Sequence, residues 1–478
     1  MIYKKTKIIC TIGPAVSTVE NIEALINAGM DGARLNFSHG THEIHKQYID
    51  NIREACDKLG RTVAIIQDLG GPKIRIGKLE GGSFMLNVGD RINICSEPVL
   101  GTPQMISTNY PGIIHDLSRE HPVLIDDGNI ELKVISQDKS DNCIECEVVR
   151  GGLLKENKGI NLPMSNIQLH SLTEKDKIDL QFGIENNVDF IAMSFVRSAE
   201  DIRYLRELIR SRGKKIPIIA KIERREAITN IDSIIEESDL IMVARGDLGV
   251  ELSSEQVPVL QKMIIRKCNE KIKPVITATQ MLESMIEGAV PTRAEASDIA
   301  NAILDGTDCV MLSAETSTGK HPFEAVLMMK KIILQTETIK KSNYFNEMFV
   351  EDSPENTLHT IANSATEIAA RLNAKAIICI THTGKTPLLL SNHRPGAQII
   401  AATFNMSVIR YFKLIWGVES LLIKKDDHGR EEYHDIVAQI KQKIKDNDIL
   451  KFGDRVIIVS SMPLAEGESA NNISVSEI

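Results

Sequence analysis

The sequence predicts an α/β protein: a (β/α)8 TIM barrel interrupted by an inserted all-β lid domain and followed by a C-terminal α/β domain. Three observations carry this. Short apolar strands alternate with amphipathic helices through most of the chain, the pattern of a parallel sheet. That rhythm stops between about Gly70 and Leu162, where short alternating segments and Gly and Pro punctuation replace any helical period. Three strands precede this gap and five follow it, and eight β/α units favour closure into a barrel over an open sheet.

In order, an apolar strand spans 6–13, and Ser17 with Glu20 has the S-x-x-E spacing of a capping box opening a helix that Gly29 ends. Strand 32–37, helix 41–59 and strand 63–68 complete a βαβαβ run. In the insertion, residues 123–128 read as a strand entering a turn, with 143–149 as its partner region. The α/β rhythm resumes with a helix from Thr173 to about 187, then strand 189–196, helix 199–212, strand 216–223, strand 240–244 and helix 254–271. Strand 274–279, helix 293–304, strand 309–313 and helix 322–339 close the barrel. The mostly polar stretch 342–355 reads as a linker. Helix 357–372, strand 376–381, helix 387–392, strand 398–403, helix 407–413, strand 418–424, helix 433–443 and strand 455–460 form the last unit, with a polar tail from Ala465. The expected divisions are 1–69 and 166–341 for the barrel, 70–165 for the lid and 342–478 for the C-terminal domain.

A chain of 478 residues with 42% hydrophobic content can bury several cores. Its net charge of −9 and pI near 5.8 argue against a nucleic-acid partner, which needs a dense cationic surface. No run of about 18 uncharged apolar residues suggests a membrane span, and no signal-type segment opens the chain, so a cytoplasmic location is expected. The eight cysteines are scattered and read as reduced core thiols. Cys143 and Cys146 make a lone C-x-x-C, but strand alternation sends them to opposite faces and no second pair exists to complete a zinc site.

Charge gathers at the predicted C-terminal strand ends, where barrel chemistry sits. Arg34, Asn36 and Ser38 follow the second strand, Asp68 the third, Ser194 the fourth, Lys221 and Glu223 the fifth. Arg245 and Asp247 follow the sixth, Thr279 the seventh, and Ser313 and Glu315 the eighth. Any one pair could be an interior ion pair with no function, but a ring of them at one rim points to a site. Lys221 and Glu223, two residues apart in a strand, share a face. Glu223 and Asp247, with few His or Cys around them, suit a hard divalent cation, Mg2+ or Mn2+. Arg34, Arg75 and Lys221 suit phosphate oxygens. Gly246 lets a ligand approach backbone N–H groups if a helical turn starts there. The chemistry implied is a metal-assisted reaction of a phosphorylated or carboxylated substrate.

Cys10-Thr11-Ile12-Gly13-Pro14, Arg34-Leu35-Asn36-Phe37-Ser38-His39-Gly40, Ala220-Lys221-Ile222-Glu223, Ala244-Arg245-Gly246-Asp247-Leu248-Gly249-Val250-Glu251 and Ala278-Thr279-Gln280-Met281-Leu282-Glu283-Ser284-Met285 together resemble the pyruvate kinases, in that family's order and across essentially the whole chain. The resemblance implies phosphoryl transfer from phosphoenolpyruvate to ADP, giving pyruvate and ATP. It implies that Lys221, Arg34 and Thr279 are catalytic, and that Arg34, Ser194, Lys221, Gly246, Asp247 and Thr279 hold the substrate. Glu223 and Asp247 would bind Mg2+ (or Mn2+), and Pro14, Asn36, His39, Arg75 and Lys158 the nucleotide under the closing lid. It further implies a homotetramer. Another Mg2+-dependent barrel working through a pyruvate enolate, and an inactive sugar-phosphate sensor, are the competing readings; the lid argues against the first and the intact Lys221, Glu223, Asp247 and Thr279 against the second.

Departures from the family's pattern refine the expectation. In potassium-dependent members a monovalent cation sits at the positions of Asn36, Ser38, Asp68 and the Leu69 carbonyl, and a glutamate stands where this chain has Lys73. Lys73, with Leu69, Gly70 and Ile76, resembles the potassium-independent branch, and an ammonium tethered near Asp68 would supply the charge that K+ otherwise brings. K+ is therefore not expected to be required. Ile44 replaces a tyrosine that many relatives place near adenine. In the C-terminal domain Thr381, Thr383, Gly384, Lys385 and Thr386 match the family's effector-phosphate loop, between a strand and a helix. Residues 463–468 lack the arginine that helps some relatives hold a second phosphate, so the expected effector is a monophosphate, a sugar phosphate or AMP.

Overall fold

A computed structural model describes residues 3–138, 142–165, 171–339, 357–425, 432–464 and 469–478. The expected linker at 342–355 and the acidic part of the tail at 465–468 lie outside these residues.

Eight parallel strands, Lys7–Thr11, Gly32–Asn36, Ala64–Asp68, Phe190–Met193, Ile218–Ile222, Leu240–Ala244, Val275–Ala278 and Cys309–Leu312, close into a barrel in sequence order. Helices cover the outside and side chains fill the inside, so the strands read as continuous apolar runs rather than alternating ones. Ile9, Ile66, Phe190, Ile219, Met242 and Ile276 share one interior cluster. Strand side chains repeat their direction every two residues, so Asp68 stands above Ile66, and Lys221 above Ile219. The apolar layer is thus the floor on which the charged rim rests. Helix ends are set by local chemistry. Thr173 and Asp176 form one capping box and Thr292 and Glu295 another. The first helix, Val19–Ala28, is capped by Thr18 rather than by the expected Ser17, its side chain accepting from the Asn21 amide at 3.3 Å.

The inserted segment carries a six-stranded sheet, in the order Ile160–Asn161, Pro122–Ile125, Ile130–Asp138, Cys143–Arg150, Arg91–Cys95, Met105–Ser107, and a two-stranded one. The partner expected for 123–128 needs correction. Asp126 and Asp127 (φ 55° and 54°) with Gly128 (φ 82°) turn the chain sharply back, so Pro122–Ile125 pairs with Ile130–Asp138, and Cys143–Arg150 lies on that strand's far edge. The cysteine reading also changes. The pairing of Arg91–Cys95 with Cys143–Arg150 sets Cys95 opposite Cys143, Cα atoms 4.1 Å apart, and the two form a disulfide. Cys10, Cys56, Cys146, Cys268, Cys309 and Cys379 are free and buried.

The C-terminal sheet runs Val418–Leu422, Gln398–Thr403, Ala376–Ile380, Arg455–Ser460, Asn472–Glu477. Its last strand is antiparallel and comes from the tail read as merely polar; pairing with Arg455–Ser460 supplies the order that composition does not. This unit closes the barrel floor. Leu414 joins the interior cluster and Tyr411 stacks on Phe190, with ring centroids 5.9 Å apart. The fully buried Lys7 ammonium donates to the Val418 carbonyl (2.9 Å) and pairs with Glu419 (3.3 Å). Burial alone would raise the Glu419 carboxyl, but Lys413 and Lys7 hold it far below the usual range. Arg394 pairs with Asp308 at 3.1 Å and lies 4.8 Å over the Trp416 ring.

Candidate active site

The third, fourth and fifth strands bring Asp68, Ser194, Lys221 and Glu223 to one point at the barrel mouth. Register explains the meeting: Asp68 is level with Asn36 on one side and Ala192 on the other, and Ala220 is level with Met193. The Lys221 ammonium has three hydrogens and three partners, Ser194 Oγ at 2.6 Å, Glu223 Oε1 at 2.9 Å and Asp68 Oδ1 at 3.2 Å. Asp68 Oδ2 accepts from Arg34 Nε at 2.7 Å and pairs with Nη2 at 2.7 Å. Arg34 Nη1 donates to Thr11 Oγ1 at 3.1 Å. Ser194 Oγ donates to the Leu69 carbonyl at 2.8 Å, and Glu223 Oε2 accepts the Phe195 amide at 2.8 Å.

Two cations and two carboxylates thus leave water together, which is tolerable only because each is paired several times. Burial would raise the Asp68 carboxyl, yet Lys221 and Arg34 outweigh it and hold its pKa low. Burial would lower the Lys221 ammonium, yet Asp68 and Glu223 hold its pKa well above the ordinary lysine value. Burial pushes the Glu223 carboxyl up against the pull of Lys221. Lys221 is therefore a permanent cation inside the mouth.

After the sixth strand the helical turn on which the reading of Gly246 depended is present, as Arg245–Glu251. The Gly246 amide donates to Thr279 Oγ1 at 2.8 Å, and that hydroxyl donates to the Ala278 carbonyl at 2.6 Å. Asp247 lies in the first turn, and its Oδ1 is 3.8 Å from the Lys73 ammonium. This corrects the expected place of Lys73: its ion-pair partner is Asp247, while Asp68 is taken by Arg34 and Lys221. At the expected monovalent-cation position, Asn36 Oδ1 accepts the Ser38 amide at 3.1 Å and the Leu69 carbonyl is held by Ser194.

Pro14, Ser38 and His39 are exposed on one side of the mouth. Partial desolvation of the ring, then Arg75, Lys73 and Arg34, lower the His39 pKa, so at neutral pH the ring is uncharged among converging cations, a setting for anions. Arg75 bridges Gly159 and donates to the Asn157 carbonyl at 3.0 Å, and Lys158 pairs with Asp126 at 2.6 Å. On the other side a cleft of about 850 Å³ is lined by Gly246 and Asp247 of the barrel and by Lys73, Leu124, Glu131 and Arg150 of the insertion.

Two rim residues face the chain rather than the mouth. Glu315 is buried and accepts the Leu282 amide (3.1 Å) and the Ser313 amide (2.6 Å), and Arg245 is buried against the chain after the seventh strand. Other groups at the site escaped sequence reasoning. Phe195 adopts φ 55°, which turns its amide toward Glu223, and Arg224 lies 5.4 Å over its ring. Asn161 of the insertion donates to Glu251 at 3.1 Å, with Arg224 4.0 Å away on the same oxygen. No periodicity marks such contacts; the one available signal was Arg224 following Glu223 directly. In the C-terminal loop Gly384 (φ 88°) donates its amide to Thr381 Oγ1 at 2.9 Å and caps the helix Lys385–Asn392, two residues earlier than expected. Thr383 and Lys385 are exposed there, Thr381 and Thr386 buried.

Comparison with known proteins follows the same outline. The family description "Pyruvate kinase, barrel domain" matches residues 3–326, and "Pyruvate kinase, alpha/beta domain" matches residues 359–476. A pyruvate kinase of Geobacillus stearothermophilus is 46% identical over 473 residues, covering 99% of this chain and 80% of its own. One from Staphylococcus aureus (strain MRSA252) is 43% identical over 475 residues, again covering 99% and 80%. The crystal structure of a pyruvate kinase from Cryptosporidium parvum superposes with a TM-score of 0.91 at 40% identity, over 99% of this chain and 96% of that one.

The ion cluster sets an expectation for Asp68→Asn. It leaves buried Lys221 and largely covered Arg34 short of a counter-charge and should cost about 3–5 kcal/mol at pH 7. Asp68 has a depressed native pKa, so its contribution is complete above the unfolded value of 3.8 and is lost as pH falls through the native one. Urea unfolding followed by circular dichroism should show a gap between wild type and variant that narrows in acid. Equal midpoints at pH 7 would contradict the cluster's role.

Proposed function

The chain belongs to the pyruvate kinase family, whose reaction moves the phosphoryl group of phosphoenolpyruvate to ADP and yields pyruvate and ATP, and we propose how its residues divide that work. The observation that carries the proposal is the fully engaged Lys221 ammonium. Phosphoryl transfer spreads charge over the equatorial oxygens and leaves an enolate, so fixed cations already in place supply most of the catalysis. Lys221 stabilises the migrating phosphoryl group and the enolate oxygen, and Arg34 stabilises the phosphoryl group. Ser194, Gly246, Asp247 and Thr279 seat the rest of phosphoenolpyruvate, with Thr279 on its carboxylate and helping to bring the proton to the enolate. Pro14, Asn36, His39, Arg75 and Lys158 hold the nucleotide, and the insertion (70–165) closes as a lid over the barrel (1–69 and 166–341) and excludes water.

Glu223 and Asp247 offer hard oxygen donors alone, which fits a divalent cation, Mg2+ or Mn2+, with water and substrate completing the shell. Bound there, such a cation would supply Lewis-acid chemistry toward substrate oxygens. A cation held by Asp247 would compete with Lys73, whose ammonium would then be free to face the substrate's phosphate charge. We read this as the reason K+ is not required; the support is a lysine ammonium of the chain itself 3.8 Å from Asp247 at the mouth. The C-terminal domain (342–478) takes a sugar monophosphate or AMP at Thr381, Thr383, Gly384, Lys385 and Thr386, where exposed Thr383 and Lys385 stand at a helix start. The assembly proposed is a cytoplasmic homotetramer, for which the outer edge of strand Asn472–Glu477 offers an unpaired sheet edge among the described residues.

Lys221→Met should keep the fold by circular dichroism and lose ADP-dependent pyruvate formation by roughly a thousandfold. Retained turnover in the variant would contradict the role given to Lys221, and a wild-type chain without ADP-dependent pyruvate formation would return the barrel to another enolate chemistry or to a sensor. An initial-rate matrix checks the rest. With Mg2+ present the rate should persist in buffer free of K+ and Na+, and a sugar monophosphate or AMP should lower the half-saturating phosphoenolpyruvate concentration. Collapse of the rate without K+, or a response to a bisphosphate alone, would count against those two assignments.

A further inference from the structure

Thr279 and Gln280 stand side by side at φ 69° and 52°, a left-handed pair that neither residue adopts readily, least of all β-branched Thr279. Something must hold them, and the neighbouring strand supplies it. Arg245 Nε lies 3.3 Å from the Ala278 carbonyl and 3.2 Å from that of Thr279. Its Nη2 donates to the Thr279 carbonyl at 2.6 Å and to that of Gln280 at 3.1 Å, and touches Met281 Sδ at 2.8 Å. Behind it, Nη1 donates to Asp298 Oδ2 at 2.6 Å and to Gln261 Oε1 at 3.3 Å.

We infer that Arg245 is a positioning residue for phosphoryl transfer: anchored by Asp298 and Gln261, its guanidinium clamps three consecutive carbonyls and so fixes the left-handed turn that aims the Thr279 hydroxyl at the Gly246 amide. The planar fork is what the task requires. Three oxygens splayed around a reversing backbone need donors in a fixed fan, and a lysine ammonium, a point charge on a flexible stem, cannot reproduce it. Arg245 and Gly246 are adjacent, so the clamp also sets the spacing between the turn after the seventh strand and the start of helix Arg245–Glu251. The hydroxyl–amide distance of 2.8 Å is the product of that spacing. The inference rests on the proposed role of Thr279 toward the substrate carboxylate.

A double-mutant cycle tests it, using Arg245→Lys, Thr279→Ala and both together in the full chain. Arg245→Lys should lower kcat/KM for phosphoenolpyruvate roughly a hundredfold, the scale of a misplacement of about 1 Å. In the Thr279→Ala background the same change should cost less than about threefold, since the hydroxyl it positions is gone. Mn2+ affinity, read by electron paramagnetic resonance, should be kept in Arg245→Lys. A loss of the same factor in both backgrounds, a loss under about threefold in the first, or a parallel loss of Mn2+ binding overturns the inference. Thr279→Ala without effect would instead remove the role of Thr279 on which the clamp depends, and the two failures are thus distinct. If Arg245→Lys does not fold, Asp298→Asn enters the cycle in its place with the same expectations.

Discussion

The interaction on which the rest depends is the saturation of the Lys221 ammonium by Asp68, Glu223 and Ser194. A cation at 8% exposure is costly unless every hydrogen finds an acceptor, and here each does. Asp68 can serve because Arg34 covers its other oxygen, and Glu223 because the Phe195 backbone is bent to donate to it. The same arrangement that makes the charge affordable makes it permanent. In the role proposed for Lys221, an incoming phosphoryl group would meet a cation whose orientation is already settled, with little reorganisation left for the reaction itself.

That cluster needs a rigid frame, and barrel closure provides it. Asp68 and Lys221 sit one layer above Ile66 and Ile219, and a one-residue slip would turn both outward. The frame is sealed from below by Leu414 and Tyr411 of the C-terminal unit, fastened through Lys7 to Val418 and Glu419 and through Arg394 to Asp308. A change in that unit thus bears on the ends of barrel strands, since Lys7 opens the first and Asp308 immediately precedes the eighth. Asn161, Glu251 and Arg224 make the corresponding tie between the insertion and the rim.

Much of this was legible in the sequence because it depends on periodicity and order. Buried parallel strands betray themselves as unbroken apolar runs, and a charge at the end of such a run, as at Lys221 and Asp68, has nowhere to sit but the rim. Pairing across long separations was not legible. Cys95 and Cys143 are 48 residues apart and meet only through strand register. Lys73 could be assigned to the mouth, but not to Asp247 rather than Asp68, because a flexible side chain chooses its partner in three dimensions. Arg245 stood in the rim as one charge among many, and only the left-handed backbone of Thr279 and Gln280 reveals what it grips.

The most direct test of the account is the ionisation of Lys221 itself, followed by the ε-carbon resonance of labelled lysine and assigned by difference against Lys221→Met. The raised pKa predicts a shift unchanged at pH 10.5, where an ordinary lysine is half deprotonated. A midpoint at or below 10.5 would contradict the claim that Asp68 and Glu223 hold a permanent cation at the centre of the site.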